Sequence, residues 1–117
     1  MNAKDFFEEK LRYEIDPAGV DELINGGGSD FIVVDVRSKK AFEAGHLPGA
    51  INMPIEEIEK RFSEIPKEKR VILYCYNISC YRAPRAALML AKKGYEKVTE
   101  MIGGFEEWSK RGHRVEI

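Results

Sequence analysis

The chain has 117 residues and a net charge of -1 at pH 7, so it can bury one hydrophobic core but carries no strong surface field. This balance argues against nucleic acids and membrane surfaces as partners, and no apolar run approaches the ~20 residues of a membrane span. The first residues carry their charges in the wrong arrangement for a signal peptide, and two cysteines imply no disulfide framework. We therefore expect a cytoplasmic protein with reduced thiols, whose oligomeric state the sequence leaves open.

The N-terminal segment predicts a helix, a short strand and a second helix. Residues 4–11 can form a short amphipathic helix, and residues 12–15 favour a first strand. Asp16 followed by Pro17 is a helix start, since Asp caps the free amides and the φ angle of Pro is preset. Residues 26–28 are glycines, which end this second helix.

The next segment alternates strands with short helices. Residues 31–36 are an almost unbroken apolar run, which predicts a central strand buried on both faces. Ser38 caps a short helix that closes at Gly45, residues 51–53 favour a short strand, and Pro54 opens another helix.

The stretch from residue 71 to residue 91 is the most informative part of the chain. Residues 71–74 are consecutive β-favouring apolar residues and predict a buried strand. The period then changes to that of one helix face, with small side chains that allow close packing on a sheet: Ala83, Ala86, Ala87, Leu90 and Ala91. The loop between strand and helix holds both cysteines, Cys75 and Cys80.

The last segment completes the pattern. Gly94 ends the long helix, residues 98–102 predict a final strand, and residues 105–110 predict a helix with Phe105 and Trp108 facing inward. Strands that alternate with helices of about ten residues indicate an α/β domain with a parallel sheet covered on both sides.

The position of Cys75 points to chemistry. It lies at the carboxyl end of a predicted strand and faces a helix N-terminus, which is where open α/β sheets bind ligands. Free amides and the helix dipole favour an anion there, so we expect the pKa of the Cys75 thiol to fall below the ~8.5 of a free cysteine. Arg82 adds a permanent cation that can stabilise the substrate or a negatively charged sulfur.

Three segments of the chain form a set of motifs: Asp35-Val36-Arg37 with the stretch from Phe42 to Asn52, then Tyr74-Cys75 with its loop, then Gly103-Gly104-Phe105 with Trp108. Together they resemble the rhodanese domain, a sulfurtransferase module. They occur in the family's order and near its spacing, over about residues 12–114. The resemblance implies a single-domain, three-layer α/β sandwich with a five-stranded parallel sheet covered by helices on both faces. Residues 1–117 would form this domain, with residues 1–11 as an N-terminal helical extension.

The resemblance also implies a reaction. Cys75 matches the family's catalytic cysteine, which takes a sulfane sulfur from thiosulfate, a persulfide or a polysulfide and passes it to a thiol or cyanide. A protein thiol is a further candidate acceptor. The loop that would bind substrate consists of Tyr76, Asn77, Ile78, Ser79, Cys80, Tyr81 and Arg82. No cofactor is required, and we expect no metal site, because two cysteines and two isolated histidines do not form ligand pairs.

The loop departs from the common rhodanese pattern. The arginine that usually follows the cysteine by five positions is replaced by Cys80, and the loop is two residues longer by the position of Ala86 and Ala87. Because it is also largely uncharged, we do not expect thiosulfate to be the physiological donor. The loop is less consistent with a related phosphatase or arsenate reductase, since six residues rather than five separate Cys75 from Arg82.

Two interpretations stay open for the cysteines. Cys80 is either a resolving thiol for Cys75 or only a loop residue. The chain is accordingly either an active sulfurtransferase or a non-catalytic or redox-sensing binding module that uses Cys75 and Cys80. We interpret Asp35 and Arg37 as a structural pair, although Arg37 could also line the pocket, and His46 as a residue that stabilises a turn.

Overall fold

The computed structural model describes residues 1–117 and contains six α-helices and five strands. In chain order they are α1 (Ala3–Tyr13), β1 (Glu14–Ile15), α2 (Pro17–Asn25), β2 (Phe31–Asp35), α3 (Lys39–Ala44), β3 (Ile51–Asn52), α4 (Ile58–Arg61), β4 (Arg70–Tyr74), α5 (Arg82–Lys92), β5 (Val98–Met101) and α6 (Gly104–Lys110). Single 3₁₀ turns, Ile55–Glu57 and Phe62–Glu64, flank α4. None of the helices has both the length and the apolar content needed to cross a membrane.

The five strands form one sheet in the order β1-β5-β4-β2-β3, and every pair is parallel. Strand β4 is therefore the central strand. Asp35, the last residue of β2, lies beside Tyr74, the last residue of β4. The predicted α/β fold with a five-stranded parallel sheet is confirmed.

Successive residues of β4 serve two separate core layers, as the two-residue period of a strand requires. Val71, Leu73 and Cys75 belong to the layer that packs against α4 and α5. Ile72 and Tyr74 belong to the opposite layer, whose largest side chain is Trp108 of α6. The thiol of Cys75 consequently lies on the α5 side of the sheet.

The helix starts read from the sequence are confirmed by their capping geometry. The Asp16 carboxylate accepts the amide N–H of Gly19 at 3.0 Å, with Pro17 at the first helical position. Ser38 caps α3 by accepting the amide N–H of Ala41 at 3.2 Å.

The first predicted strand is shorter than expected. Helix α1 continues to Tyr13, and only Glu14 and Ile15 pair with β5. An ion pair of 2.7 Å between Lys10 and Glu14, one helical turn apart, supports the longer helix. Helix α1 buries none of its residues, so the apolar side that the pattern indicated stays exposed to solvent.

Candidate active site

Cys75 directly follows β4 and begins the cysteine loop, residues 75–81, which leads into α5. The start of α6 supports this loop through two backbone hydrogen bonds. The amide N–H of Phe105 donates to the carbonyl of Cys75 at 2.8 Å, and the amide N–H of Glu106 donates to the carbonyl of Tyr76 at 2.9 Å. Gly104 has a φ of +63°, and a Cβ atom there would lie 2.6 Å from the carbonyl oxygen of Cys75. Only glycine allows α6 to approach the loop this closely.

A tight turn inside the cysteine loop brings the two cysteines together. The Asn77 side chain accepts the amide N–H of Ser79 at 3.0 Å, and its carbonyl accepts that of Cys80 at 3.1 Å. The chain therefore folds back, and the Cys75 thiol donates to the carbonyl oxygen of Cys80 across 3.5 Å. Both cysteines are free thiols; Cys75 is buried, whereas Cys80 is half-buried.

The environment affects the two thiols in opposite directions. Burial, followed by the hydrogen bond to Cys80, raises the pKa of Cys75 to about 12, against the lowering effect of the Ala83 and Tyr76 amides. At Cys80 burial also opposes ionisation. The pKa of this thiol is nevertheless lowered by the hydrogen bond from Cys75, by the amides of Tyr76 and Arg82, and by the Arg82 charge. The expectation of a lowered pKa at Cys75 is therefore wrong for the ligand-free site, because desolvation outweighs the helix N-terminus.

This difference predicts the order in which the thiols are alkylated. With iodoacetamide at pH 7, Cys80 is expected to react before Cys75, because only the thiolate is nucleophilic. A raised pKa keeps Cys75 protonated, so the alkylation rate of Cys75 should rise about tenfold per pH unit through pH 9. Peptide mass spectrometry after timed alkylation measures both rates.

The unfolded protein is the control for this experiment, since both thiols should react at similar rates once their environments are lost. In Cys80→Ser, the Cys75 rate should rise, because the side-chain hydrogen bond that holds its proton is weakened. Faster labelling of Cys75 than of Cys80 at neutral pH would contradict the prediction.

The Arg82 guanidinium does not point freely at the thiols. Its Nε donates to the carbonyl of Val36 at 3.1 Å, and its Nη2 donates to both carboxylate oxygens of Glu56 at 2.8 and 2.9 Å. Arg82 is thus already neutralised by a partner that the sequence did not indicate. Its role in binding a substrate anion stays a prediction.

The other predicted loop residues divide into two groups. Asn77 shapes the turn, and the Tyr76 ring lies between the guanidinium carbons of Arg37 and Arg82, at 5.8 and 5.9 Å from its centre. The remaining residues, Ile78, Ser79 and Tyr81, are exposed to solvent. Of the predicted loop residues, only Cys80 is therefore brought to the side of Cys75. The exposed Ile78 and Tyr81 give the loop an apolar outer edge.

A buried polar network lies behind the cysteine loop. Arg37 donates to the Asp35 carboxylate through Nε and Nη2 at 2.8–3.1 Å, and the Tyr74 hydroxyl donates to the same carboxylate at 2.6 Å. Asp35 is fully buried and Arg37 is 4% exposed, so the interpretation as a structural pair is confirmed. His46 also has a structural place, because it stacks on Phe42 at 3.7 Å.

The thiols of the cysteine loop do not line the most prominent cleft. A cleft of about 670 Å³ lies between the end of α1 and α5 and is lined by neither cysteine. Cleft volume therefore does not identify the site here. We place the candidate site at the cysteine loop because it holds both free thiols.

The chain belongs to the rhodanese-like domain family, whose sequence pattern matches residues 16–111. It is 41% identical over 76 residues to the uncharacterized protein YqhL of Bacillus subtilis (strain 168), which covers 65% of this chain and 59% of that protein. The chain therefore spans less than two thirds of this relative. A sulfurtransferase of Allochromatium vinosum is 35% identical over 83 residues, with 71% of this chain and 76% of that protein covered.

Solved structures agree with this assignment. The crystal structure of the BH2092 protein from Bacillus halodurans superposes with a TM-score of 0.91 at 39% sequence identity. The match covers 97% of this chain and 83% of that one. The rhodanese resemblance and the fold that it implied are confirmed.

Two residues of the site were missed by sequence reasoning. Glu56 lies 26 positions before Arg82, and nothing in a charged helical segment indicates which cation it will meet. Gly104 was noted only as part of a double glycine, although its contact with the Cys75 carbonyl decides how α6 supports the loop. A glycine at a strand-to-helix junction is a signal for such close approach.

Proposed function

We propose that the chain is a sulfurtransferase that carries sulfane sulfur as a persulfide on Cys75. The observation that carries this proposal is the thiol of Cys75 at the end of the central strand, beside the start of α5 and within the influence of the Ala83 and Tyr76 amides. Such amides stabilise a terminal sulfur anion. Membership of the rhodanese-like family and the sulfurtransferase name of one relative support the same reaction class.

In the first step the Cys75 sulfur attacks the outer sulfur of the donor. The bond between the donor's two sulfur atoms breaks, and the donor remnant leaves with the electron pair. The proton of Cys75 must depart to solvent beforehand, because Cys80, whose pKa is lowered, is a weaker base than Cys75 and does not hold that proton.

In the second step an acceptor attacks the outer sulfur of the Cys75 persulfide. The bond to Cys75 breaks, and Cys75 leaves as a thiolate that the neighbouring amides stabilise. Cyanide would yield thiocyanate, and a thiol would yield a new persulfide. Neither step calls for a metal or an organic cofactor.

The direct test measures sulfur loading. The protein is incubated separately with thiosulfate, a polysulfide and glutathione persulfide, freed of donor, and analysed by intact mass and peptide mapping. We expect a gain of one sulfur atom on the peptide that contains Cys75, and loss of this mass upon addition of cyanide with formation of thiocyanate. If none of the donors adds sulfur to Cys75, the proposal fails.

We further propose that Glu56 sets the donor preference by neutralising Arg82. In Glu56→Gln no carboxylate offsets the guanidinium charge, so kcat/KM for the dianion thiosulfate should rise about fivefold, the factor for ~1 kcal/mol. Activity with glutathione persulfide is expected to change less, because its reacting end carries less charge. Steady-state thiocyanate formation with each donor measures the ratio.

Glu59→Gln is the matched control for this prediction. It removes the same charge from the same region, but Glu59 pairs with Lys93 at 2.9 Å rather than with Arg82. An equal rise in both variants would assign the effect to net charge and contradict a specific role for Glu56.

A second candidate function rests on the contact between the two cysteines. A redox-sensing module would form a Cys75–Cys80 disulfide under mild oxidant and would not turn over a sulfur donor. The loading test on Cys80→Ser separates the two candidates, because a sulfurtransferase gains a sulfur atom on Cys75 there and a sensor does not.

A further inference from the structure

Cys80 has a position that simple sulfur transfer does not explain. It packs against the same apolar layer as Cys75, and its carbonyl oxygen accepts the Cys75 thiol across 3.5 Å. The turn that returns it to this place is held by two hydrogen bonds to Asn77. A second thiol beside the first can form a bond with it.

We propose that Cys80 is a resolving thiol that converts the Cys75 persulfide into a Cys75–Cys80 disulfide and releases the sulfane sulfur as hydrosulfide. This gives the chain a second activity, persulfide reduction, and it rests on the proposed function because the persulfide must form first. The disulfide is then reopened by an external dithiol, which is the partner that this chemistry requires.

The step is balanced without an outside oxidant. The Cys80 thiolate attacks the inner sulfur of the persulfide, Cys75 Sγ, and a bond forms between the two cysteine sulfurs. The bond between Cys75 Sγ and the outer sulfur breaks, and the outer sulfur leaves with the electron pair and its proton as HS⁻. The sulfane sulfur is reduced, and the two cysteines supply the electrons by becoming a disulfide. A dithiol later returns two electrons and two protons to the pair.

The location of Cys80 favours attack at the inner sulfur. The backbone of Cys80 contacts Cys75 Sγ, so its side chain starts from beside the inner sulfur, whereas an acceptor from solvent meets the outer sulfur first. Attack by Cys80 at the outer sulfur would only move the persulfide from Cys75 to Cys80 and would release no hydrosulfide. Hydrosulfide, the product of attack at the inner sulfur, can leave toward the solvent side of the loop.

The loop has the geometry and freedom that this step needs. Four residues separate the cysteines, and the outermost, Ile78, is 76% exposed. Cys75 is anchored on the strand by α6, so the approach of the two sulfurs to bonding distance has to come from the turn. A dithiol can then approach Cys80, which is half-buried, from outside.

The experiment follows a single turnover under anaerobic conditions. Wild-type protein is loaded with sulfur, freed of donor, and left without any added thiol while sulfide is quantified and intact mass is recorded. We expect one equivalent of sulfide and a peptide pair linked through Cys75 and Cys80, with a first-order rate that does not depend on protein concentration. Addition of a dithiol should restore both thiols.

In Cys80→Ser, loaded to completion as judged by mass, sulfide release should fall at least about a hundredfold, since the resolving thiol and its effective concentration are lost. The double variant Cys80→Ser with Ser109→Cys restores the number of thiols at an exposed position on α6 and should remain as slow. Equal release in this double variant would overturn the proposal by assigning the reaction to any thiol.

The two proposals fail in different ways. If Cys75 takes up no sulfur in Cys80→Ser and wild-type protein releases no sulfide, the proposed function fails, and the inference that depends on it fails as well. If Cys75 is loaded and wild-type protein keeps its persulfide as long as Cys80→Ser does, only the resolving role is overturned. The wild-type disulfide map decides the matter even if Cys80→Ser cannot be loaded, because absence of the Cys75–Cys80 linkage during sulfide release contradicts the proposal.

Discussion

Cys75→Ser is expected to lower thiocyanate formation at least about a thousandfold with every donor, because a hydroxyl cannot replace the thiolate as nucleophile or carry a sulfane sulfur. The substitution is nearly isosteric, so the surrounding core layer and the α6 contacts should persist. The measurement is steady-state thiocyanate formation combined with intact mass, which should show no added sulfur. Retained turnover in Cys75→Ser would refute the catalytic role.

Cys80→Ser is the matched variant for this test. It changes the neighbouring thiol in the same loop and leaves Cys75 in place, so thiocyanate formation should be retained at neutral pH. The hydrogen bond with Cys80 raises the pKa of Cys75, so its loss favours the Cys75 thiolate, as in the alkylation experiment. If both variants lost all activity at every pH, the separate roles assigned to the two cysteines would be wrong.

Asp35→Ala is expected to reduce the free energy of unfolding by ~3–5 kcal/mol, because it leaves a buried guanidinium without its counter-charge. Asp35 is fully buried and accepts bonds from the side chain and amide of Arg37 and from the Tyr74 hydroxyl. Burial by itself disfavours the charged guanidinium, yet the Asp35 contacts raise the pKa of Arg37. Urea denaturation followed by circular dichroism measures the loss, and a change below ~1 kcal/mol would show that the pair is dispensable.

Glu64→Ala is the matched control for the buried pair. Glu64 also makes a two-point contact with an arginine, Arg61, at 3.0 and 3.1 Å, but in solvent. Its removal should cause a far smaller loss of stability than Asp35→Ala, because Arg61 is accessible to water and keeps its ion pair with Glu57 at 2.7 Å. Similar losses of stability in both variants would contradict the claim that burial makes the loss of Asp35 costly.

The Asp35 network also connects stability to the site. Arg37 lies under the Phe105 ring at 4.2 Å, and the amide of Phe105 holds the carbonyl of Cys75. Loss of Asp35 should therefore loosen the support of the cysteine loop as well as the sheet edge. The alkylation rate of Cys75 in Asp35→Ala, measured below the unfolding transition, reports this coupling.

The sequence by itself determined the order of strands and helices, the family and the place of Cys75. Buried strands such as residues 31–36 and helix starts such as Asp16-Pro17 are encoded by neighbours in the chain, so period and capping chemistry reveal them. The ends of helices and strands are harder to predict where no local sequence signal marks them. Tyr13 was predicted to lie in the first strand but is helical, because only two residues of that predicted strand pair with β5.

Tertiary structure decided the electrostatics of the site. The sequence indicated a helix N-terminus at Cys75 and hence a lowered pKa, but not the apolar layer that desolvates the thiol and raises its pKa instead. The pairing of Arg82 with Glu56 and the contact of Cys80 with Cys75 likewise depend on how separate segments meet in space. Periodicity reports which way a side chain faces within its own element, whereas burial and charge pairing arise between elements, and only the folded chain sets them.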